Sequence, residues 1–352
     1  MVTASDFFSP MWTSVPGGSP ALRECLCFNF IVIAACTRKR CAGQVPPPAP
    51  NQSGLCSGAK TWYGEEKDRF RSFALMDRSC STMDRELSLL SEAMQQAGRE
   101  ALRLSAAGFD TYTKADHSPV TSADLAVNRI LHDRLSAAFP DDGWLSEETT
   151  DTGERLSRTR VWIVDPIDGT RAFVRGLPEY CLSVALVDQG SPVVAAIFNP
   201  STGEFFSAIR GGGFRMQRVF ESALPPFASE ERPLALVNPW ELRVGRFEGL
   251  EPHVRCRPIG SIAYALALVA AGQADAAITL SGGNEWDIAA GVLLIEESGG
   301  QATTPAGQPF AFNRSDPTLS GTLAIGSSLP APVRTLVLRH SVAQTGTRST
   351  TP

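Results

Sequence analysis

Within a chain of 352 residues, the stretch that most limits the fold is Val161–Phe173, Val-Trp-Ile-Val-Asp-Pro-Ile-Asp-Gly-Thr-Arg-Ala-Phe. The apolar run Val161–Val164 reads as a buried strand, and it ends on a carboxylate, Asp165. A proline then turns the chain, and Asp168 follows after one more residue. Two acids this close at a strand end repel each other unless a cation lies between them. Oxygen-rich sites of that kind suit Mg²⁺ or Mn²⁺, and the backbone carbonyl of Ile167 offers a further oxygen. Gly169 lets the backbone approach a ligand, and the amides of Gly169 and Thr170 can hold a phosphate oxygen. Asp-Pro alone is most often an ordinary turn with solvated acids. The whole string is too specific for that reading.

Two further acidic strings point the same way. Trp144-Leu145-Ser146-Glu147-Glu148 follows a Pro140-Asp141-Asp142-Gly143 turn. Far downstream comes Asn284-Glu285-Trp286-Asp287-Ile288-Ala289-Ala290-Gly291. There Asp287 falls in the first turn of an expected helix, where negative charge is favoured. Either string alone is as well explained by a solvated turn or a helix start. Three such strings, each ending an apolar segment, predict one convergent site.

The chain resembles the inositol monophosphatase superfamily, a group of Mg²⁺-dependent, often lithium-sensitive phosphomonoesterases. The group includes inositol monophosphatases, 3′(2′),5′-bisphosphate nucleotidases, some histidinol-phosphatases and fructose-1,6-bisphosphatases. Asp165-Pro166-Ile167-Asp168-Gly169-Thr170 matches its central motif, and Trp286–Gly291 its C-terminal motif. The string from Lys114 to Asp124 matches its N-terminal loop and helix start. The resemblance runs from about Met83 to about Pro330. It implies an α/β (α+β) fold, an α-β-α-β-α layered sandwich with the site between its halves. It also implies that Glu147, Asp165 and the Ile167 carbonyl hold one ion, and that Asp165, Asp168 and Asp287 hold a second. Thr170 and Glu147 would orient and deprotonate the attacking water, with Asp124 bonded to the Thr170 hydroxyl. Two or three Mg²⁺ ions, Mn²⁺ as a substitute and inhibition by Li⁺ follow from the same likeness.

Element patterning agrees with two subdomains. Leu87, Leu90, Met94, Ala97, Ala101 and Leu104 alternate steps of three and four, one face of an amphipathic helix. Lys114–Val120 reads as a polar loop, and Thr121-Ser122-Ala123-Asp124 has capping-box spacing before a second helix. That spacing gives Asp124 a competing, purely structural role as a cap. The runs Cys181–Val187, Val193–Phe198 and Glu204–Ile209, separated by short turns, predict an antiparallel meander. Beyond Leu234, strands at Leu234–Val237, Val254–Ile259, Ala274–Ile278 and Leu323–Ile325 alternate with helices at Ile262–Ala271 and Asp287–Ser298. The expected division is residues 83–233, an α+β subdomain with the metal motifs, and 234–330, an α/β subdomain. A short helix and a disordered tail fill 331–352.

Residues 1–82 differ from the rest. They hold six of the eight cysteines and a Pro46-Pro47-Pro48 tract without clear periodicity. The expectation is a disordered extension, or an artefact of an upstream start. No Lys or Arg precedes Arg23, and the apolar run Leu26–Cys36 is shorter than the ~20 residues of a membrane helix. Those features argue against export and predict a cytoplasmic protein. A net charge of −5 offers no footprint for nucleic acid or an anionic membrane. The expected partner is a small phosphorylated metabolite, and a homodimer is allowed.

Substrate choice is read from three places. Gly260-Ser261-Ile262 matches the family's substrate-lining helix start. The residue seven before Asp287, commonly Glu where inositol is bound, is Leu280 here. Glu285-Trp286-Asp287 resembles the form found in bisphosphate nucleotidases. Together these narrowly favour 3′-phosphoadenosine 5′-phosphate over inositol 1-phosphate, with histidinol phosphate and fructose 1,6-bisphosphate behind. A relative of another class, inactive and kept for metal-dependent regulation, is the remaining alternative.

Overall fold

In the computed structural model the described residues are Glu66–Thr345, save 115–117 and 221–231, with side chains described from Met83 to Gln344. The chain opens with α1 (Glu66–Ala107), then β1 (Thr111–Thr113), β2 (Pro119–Thr121) and α2 (Ser122–Ala138). Next come β3 (Gly143–Ser146), β4 (Arg160–Asp168), α3 (Thr170–Val174), β5 (Cys181–Asp188), β6 (Ser191–Asn199), β7 (Glu204–Ile209) and β8 (Gly213–Arg218). The second half contains β9 (Leu234–Val237), α4 (Pro239–Arg243), β10 (Arg255–Pro258), α5 (Ile262–Ala270) and β11 (Ala276–Thr279). It ends with β12 (Gly283–Asn284), α6 (Glu285–Glu297), β13 (Gln301–Thr303), β14 (Thr318–Leu319), β15 (Thr322–Ile325) and α7 (Ala331–Thr345).

Strand alternation builds the layers. In β4, Trp162 and Val164 face a core formed with Leu90, Met94, Ala97 of α1 and Val127, Leu131, Leu135 of α2. Val161 and Ile163 face the other way, into a core shared with α5 and α6. β4 lies in a six-stranded sheet of order β3-β4-β5-β6-β7-β8, parallel only between β3 and β4. The helices α5 and α6 separate it from a second sheet of order β10-β9-β11-β15-β13. Behind that sheet Ala235, Ile278 and Leu323 pack with Phe247, Leu250 and Val337 of α7. The stacking is α-β-α-β-α, as the resemblance implies.

Three expectations change. The helix expected near Met83 begins at Glu66, while residues 1–65 lie outside the described set. Apolar periodicity marks packed positions such as Met83, Leu87 and Leu90 and does not mark where a helix starts. The polar loop expected over Lys114–Val120 ends in a strand: its Pro119 and Val120 belong to β2, which pairs with β1 just before the loop. The expected proline turn after Asp165 is instead a bulge: β4 continues to Asp168 with a register shift between Asp165 and Asp168. Pro166 has no N–H to give the ladder, so it falls where pairing is interrupted. Of the short helix and disordered tail expected over 331–352, the helix is α7, and residues 346–352 lie outside the described residues. Among the described residues no helix is long and apolar enough to cross a membrane.

Candidate active site

The bulge in β4 presents Asp165 and Asp168 at the strand end, close to Glu147, which follows the parallel neighbour β3. Asp287 reaches the same place from the first turn of α6. That helix is tied to the sheet where Ser183 Oγ of β5 donates to the Trp286 carbonyl at 3.3 Å. Asp124 arrives from the first turn of α2. Burial pushes the Asp165 carboxyl well above the carboxylate range, and the charges of Glu147, Asp168, Asp287 and Asp124 push it further. The acids of all three strings therefore share one electrostatic field.

Each acid uses its oxygens differently. Asp124 Oδ2 caps α2, accepting from the Thr121 N–H at 2.8 Å and the Thr121 hydroxyl at 2.5 Å. Its Oδ1 faces the Thr170 hydroxyl at 3.3 Å. Asp124 thus meets the cap with one oxygen and the Thr170 hydroxyl with the other. Thr170 Oγ1 also lies 3.1 Å from the Ile167 carbonyl. Asp168 Oδ2 accepts from Ser261 Oγ at 2.8 Å and the Ala263 N–H at 2.6 Å. Burial raises the Asp168 carboxyl to about 7 against those bonds. Asp287 Oδ2 accepts from the Asn284 N–H at 2.7 Å, and burial, then the Asp168 charge, raises its carboxyl. Lys114 Nζ stands 2.7 Å from Glu147 Oε1 and 2.6 Å from Glu148 Oε1. Burial opposes the Lys114 charge, but those two hydrogen bonds outweigh it and hold the ammonium above its ordinary pKa.

Divalent cations fit this donor set. All the donors are hard oxygens in excess negative charge. Asp165 Oδ1 is buried with no hydrogen-bond partner among the described residues, a costly state that a cation would relieve. Among the described residues, however, no three His, Cys, Asp or Glu side chains stand in a ready-made metal cage. Glu147 and Glu148 are engaged by Lys114 instead.

Beside the acids lies a cavity lined by Asp168, Asp287, Gly260, Ile262, Asn238 and Ser281, with Gly282 and Gly283 at its rim. Gly260 and Ile262, named from the sequence, are among its lining residues. Ser261 is fully buried, and its hydroxyl serves Asp168 rather than a ligand. Gly169 has φ +94° and packs so tightly that a Cβ would lie 2.9 Å from the Glu179 carbonyl. Leu280 does not line the cavity: its side chain is 1% exposed and packs behind the second sheet with Val237 and Ile278. Glu285 also points away, accepting from the Asn313 and Arg314 amides at 2.6 and 3.0 Å. Both residues that favoured a nucleotide lie outside the cavity. Sequence reasoning missed Asn238 and Ser281, whose only signal is adjacency to strand ends.

Comparison with known proteins follows the same outline. The model of the Inositol monophosphatase family matches residues 83–333. The chain is 31% identical over 233 residues to Inositol monophosphatase 2 of Solanum lycopersicum, covering 61% of this chain and 87% of that one. It is 33% identical over 211 residues to the 3′(2′),5′-bisphosphate nucleotidase CysQ of Escherichia coli (strain K12), covering 58% and 83%. A solved IMPase of Thermotoga maritima superposes with a TM-score of 0.61 at 26% identity, covering 75% of this chain and 99% of that one.

Proposed function

The chain belongs to the inositol monophosphatase family, and from that premise we propose how it works as a phosphoric monoester hydrolase on a small phosphorylated metabolite. One observation carries the reading: five acids from four separate strings share one field at the end of β4, beside the Thr170 hydroxyl. Bound Mg²⁺ would neutralise the phosphate and lower the pKa of a water, as divalent ions do. Asp165, Asp168, Asp287, Glu147 and the Ile167 carbonyl are the residues to hold it, and Mn²⁺ suits the same oxygens.

The chain's own groups do the rest. Asp124 takes the Thr170 proton in a hydrogen bond, so the Thr170 oxygen is left to accept from a water. Glu147 accepts that water's second proton as its oxygen attacks phosphorus. The ester P–O bond breaks, the departing alkoxide takes a proton from solvent water, and Glu147 releases the proton it accepted back to solvent, so the alcohol and hydrogen phosphate leave with no net proton gained or lost. The amides of Gly169 and Thr170 cradle the phosphate. Lys114 neutralises Glu147 and Glu148 until they are needed.

For the alcohol part, the cavity supplies Asn238, Ser281, Thr279, Thr322 and backbone groups, and among the described residues no Lys or Arg lines it. A second phosphate would find no cation there, whereas a hydroxylated neutral group would find partners. We therefore favour a monophosphate such as inositol 1-phosphate. The bisphosphate-nucleotide reading retains the support of the CysQ likeness. Phosphate release from inositol 1-phosphate and from 3′-phosphoadenosine 5′-phosphate, with and without Mg²⁺, separates them. A higher kcat/KM on the bisphosphate would reverse the preference, and no Mg²⁺-dependent release from either, or from histidinol phosphate or fructose 1,6-bisphosphate, would sink the hydrolase reading. Millimolar Li⁺ should inhibit at saturating substrate, because it fits an oxygen site with half the charge.

A further inference from the structure

One wall of the cavity is the connection between β11 and α6, where Ser281, Gly282 and Gly283 precede Asp287. Two adjacent glycines give that connection great backbone freedom, and it is held at both ends. From Gly283 on, β12 pairs with β14, and ahead of the glycines Glu241 of α4 holds it. Glu241 is fully buried, and both its oxygens accept from the Leu280 N–H, at 3.0 and 2.9 Å. Oε1 also accepts from Ser281 Oγ at 2.5 Å. Arg246 Nη1, 3.7 Å from Oε1, balances the charge. The same short helix is capped by Asn238, whose Oδ1 accepts from the Trp240 and Glu241 amides at 2.9 and 3.2 Å. Two cavity-lining residues, Asn238 and Ser281, are thus held by one polar cluster outside the cavity.

We infer that Glu241 is a positioning residue for substrate selection, clamping the Leu280 amide and the Ser281 hydroxyl so that the cavity wall meets the alcohol part of the ester. The substrate half of this inference rests on the hydrolase reading, and the clamp does not. The clamp also sets polarity. Because Ser281 gives its proton to Glu241, its oxygen remains an acceptor for a substrate hydroxyl, while the Asn238 oxygen is taken and its amide nitrogen remains a donor. Leaving the Leu280 N–H without its partner would free the wall at the cost of a buried, unpaired donor.

The test uses the full chain, with Glu241→Ala, Glu241→Gln and Ser281→Ala, and two readouts. In Glu241→Ala, hydrogen–deuterium exchange over residues 280–284 should speed by about tenfold or more while the strands of the first sheet stay protected. Its KM for inositol 1-phosphate should rise about tenfold with kcat held within about threefold. Glycerol 2-phosphate, too short to reach the wall, should be turned over unchanged. Glu241→Gln keeps an acceptor oxygen and should recover most of the loss. Ser281→Ala should raise KM alone and carries the kinetic readout if Glu241→Ala does not fold. Glu241→Gln, which keeps only one of the two acceptors of the Leu280 N–H, should still exchange measurably faster over residues 280–284 than the unmutated protein and then carries the other. Unchanged exchange overturns the clamp. Faster exchange with an equal loss in kcat on both esters overturns the positioning role. If the unmutated protein hydrolyses neither ester with Mg²⁺, the hydrolase reading and the role in substrate selection fall together, and exchange alone still decides the clamp.

Discussion

Asp165 is 1% exposed, one of its oxygens is unpartnered, and neighbouring carboxylates raise its pKa. Its charge is a burden on the fold and an asset only to a bound cation. Asp165→Asn should therefore lower turnover by ~10³-fold or more, about 4 kcal/mol of transition-state stabilisation. The metal-free melting temperature should not fall, since the substitution removes repulsion. A variant that keeps near-normal turnover at moderate Mg²⁺ would remove Asp165 from the metal site. Leu280 argues the opposite case. Its side chain packs behind the second sheet, so Leu280→Glu would bury a second carboxylate beside Glu241 rather than reshape specificity. Denaturant melts should show a loss of about 4 kcal/mol. A stable Leu280→Glu protein with a changed substrate ratio would contradict this. The acids were legible in the sequence because few other purposes put carboxylates at buried strand ends. The direction of Leu280 was not, because successive residues at a strand end face opposite sides.

At the scale of elements, the site depends on how closely α5 and α6 approach. A Cβ on Gly291 of α6 would lie 2.6 Å from the Leu266 Cβ of α5. α5 begins with the Ser261 and Ala263 groups that hold Asp168, and α6 with Asp287 itself. Gly291→Ala should therefore cost ~1–3 kcal/mol by overpacking and lower kcat as well, which thermal melts and kinetics measure together. A neutral outcome in both would mean that the helices have slack. The meander β5–β7 was readable because both of its faces are buried in long apolar runs. β8 was not, because Phe214–Arg218 is a largely exposed edge with no such signature. β1 is wholly exposed, and its hairpin hid in what reads as a polar loop. The short helix α4 left no trace beyond an Asn-Pro start, so the buried Glu241 looked like any surface acid.

For the whole molecule, the sequence carried the layer order but not the continuity of its middle layer. One buried cluster runs from Leu145 and Ile163 in the first sheet through Leu266 and Leu293 to Leu236 and Ala324 in the second. A single cooperative melt is the expected behaviour. Mg²⁺ bound at a hundred times its dissociation constant should add about 2.7 kcal/mol per site. At roughly 2–4 °C per kcal/mol, the shift is easily read against a chelated sample, and Asp165→Asn should flatten it. Two separate transitions would contradict the shared core.

That continuity also governs how the protein can move. Close-packed interiors rearrange between discrete packings and do not bend smoothly, and here the packing passes under both sheets without a break. Among the described residues the two sheets share one core and show no hinge about which to open like jaws. On that packing, admission of substrate and escape of product fall to short surface segments and not to a closing of halves.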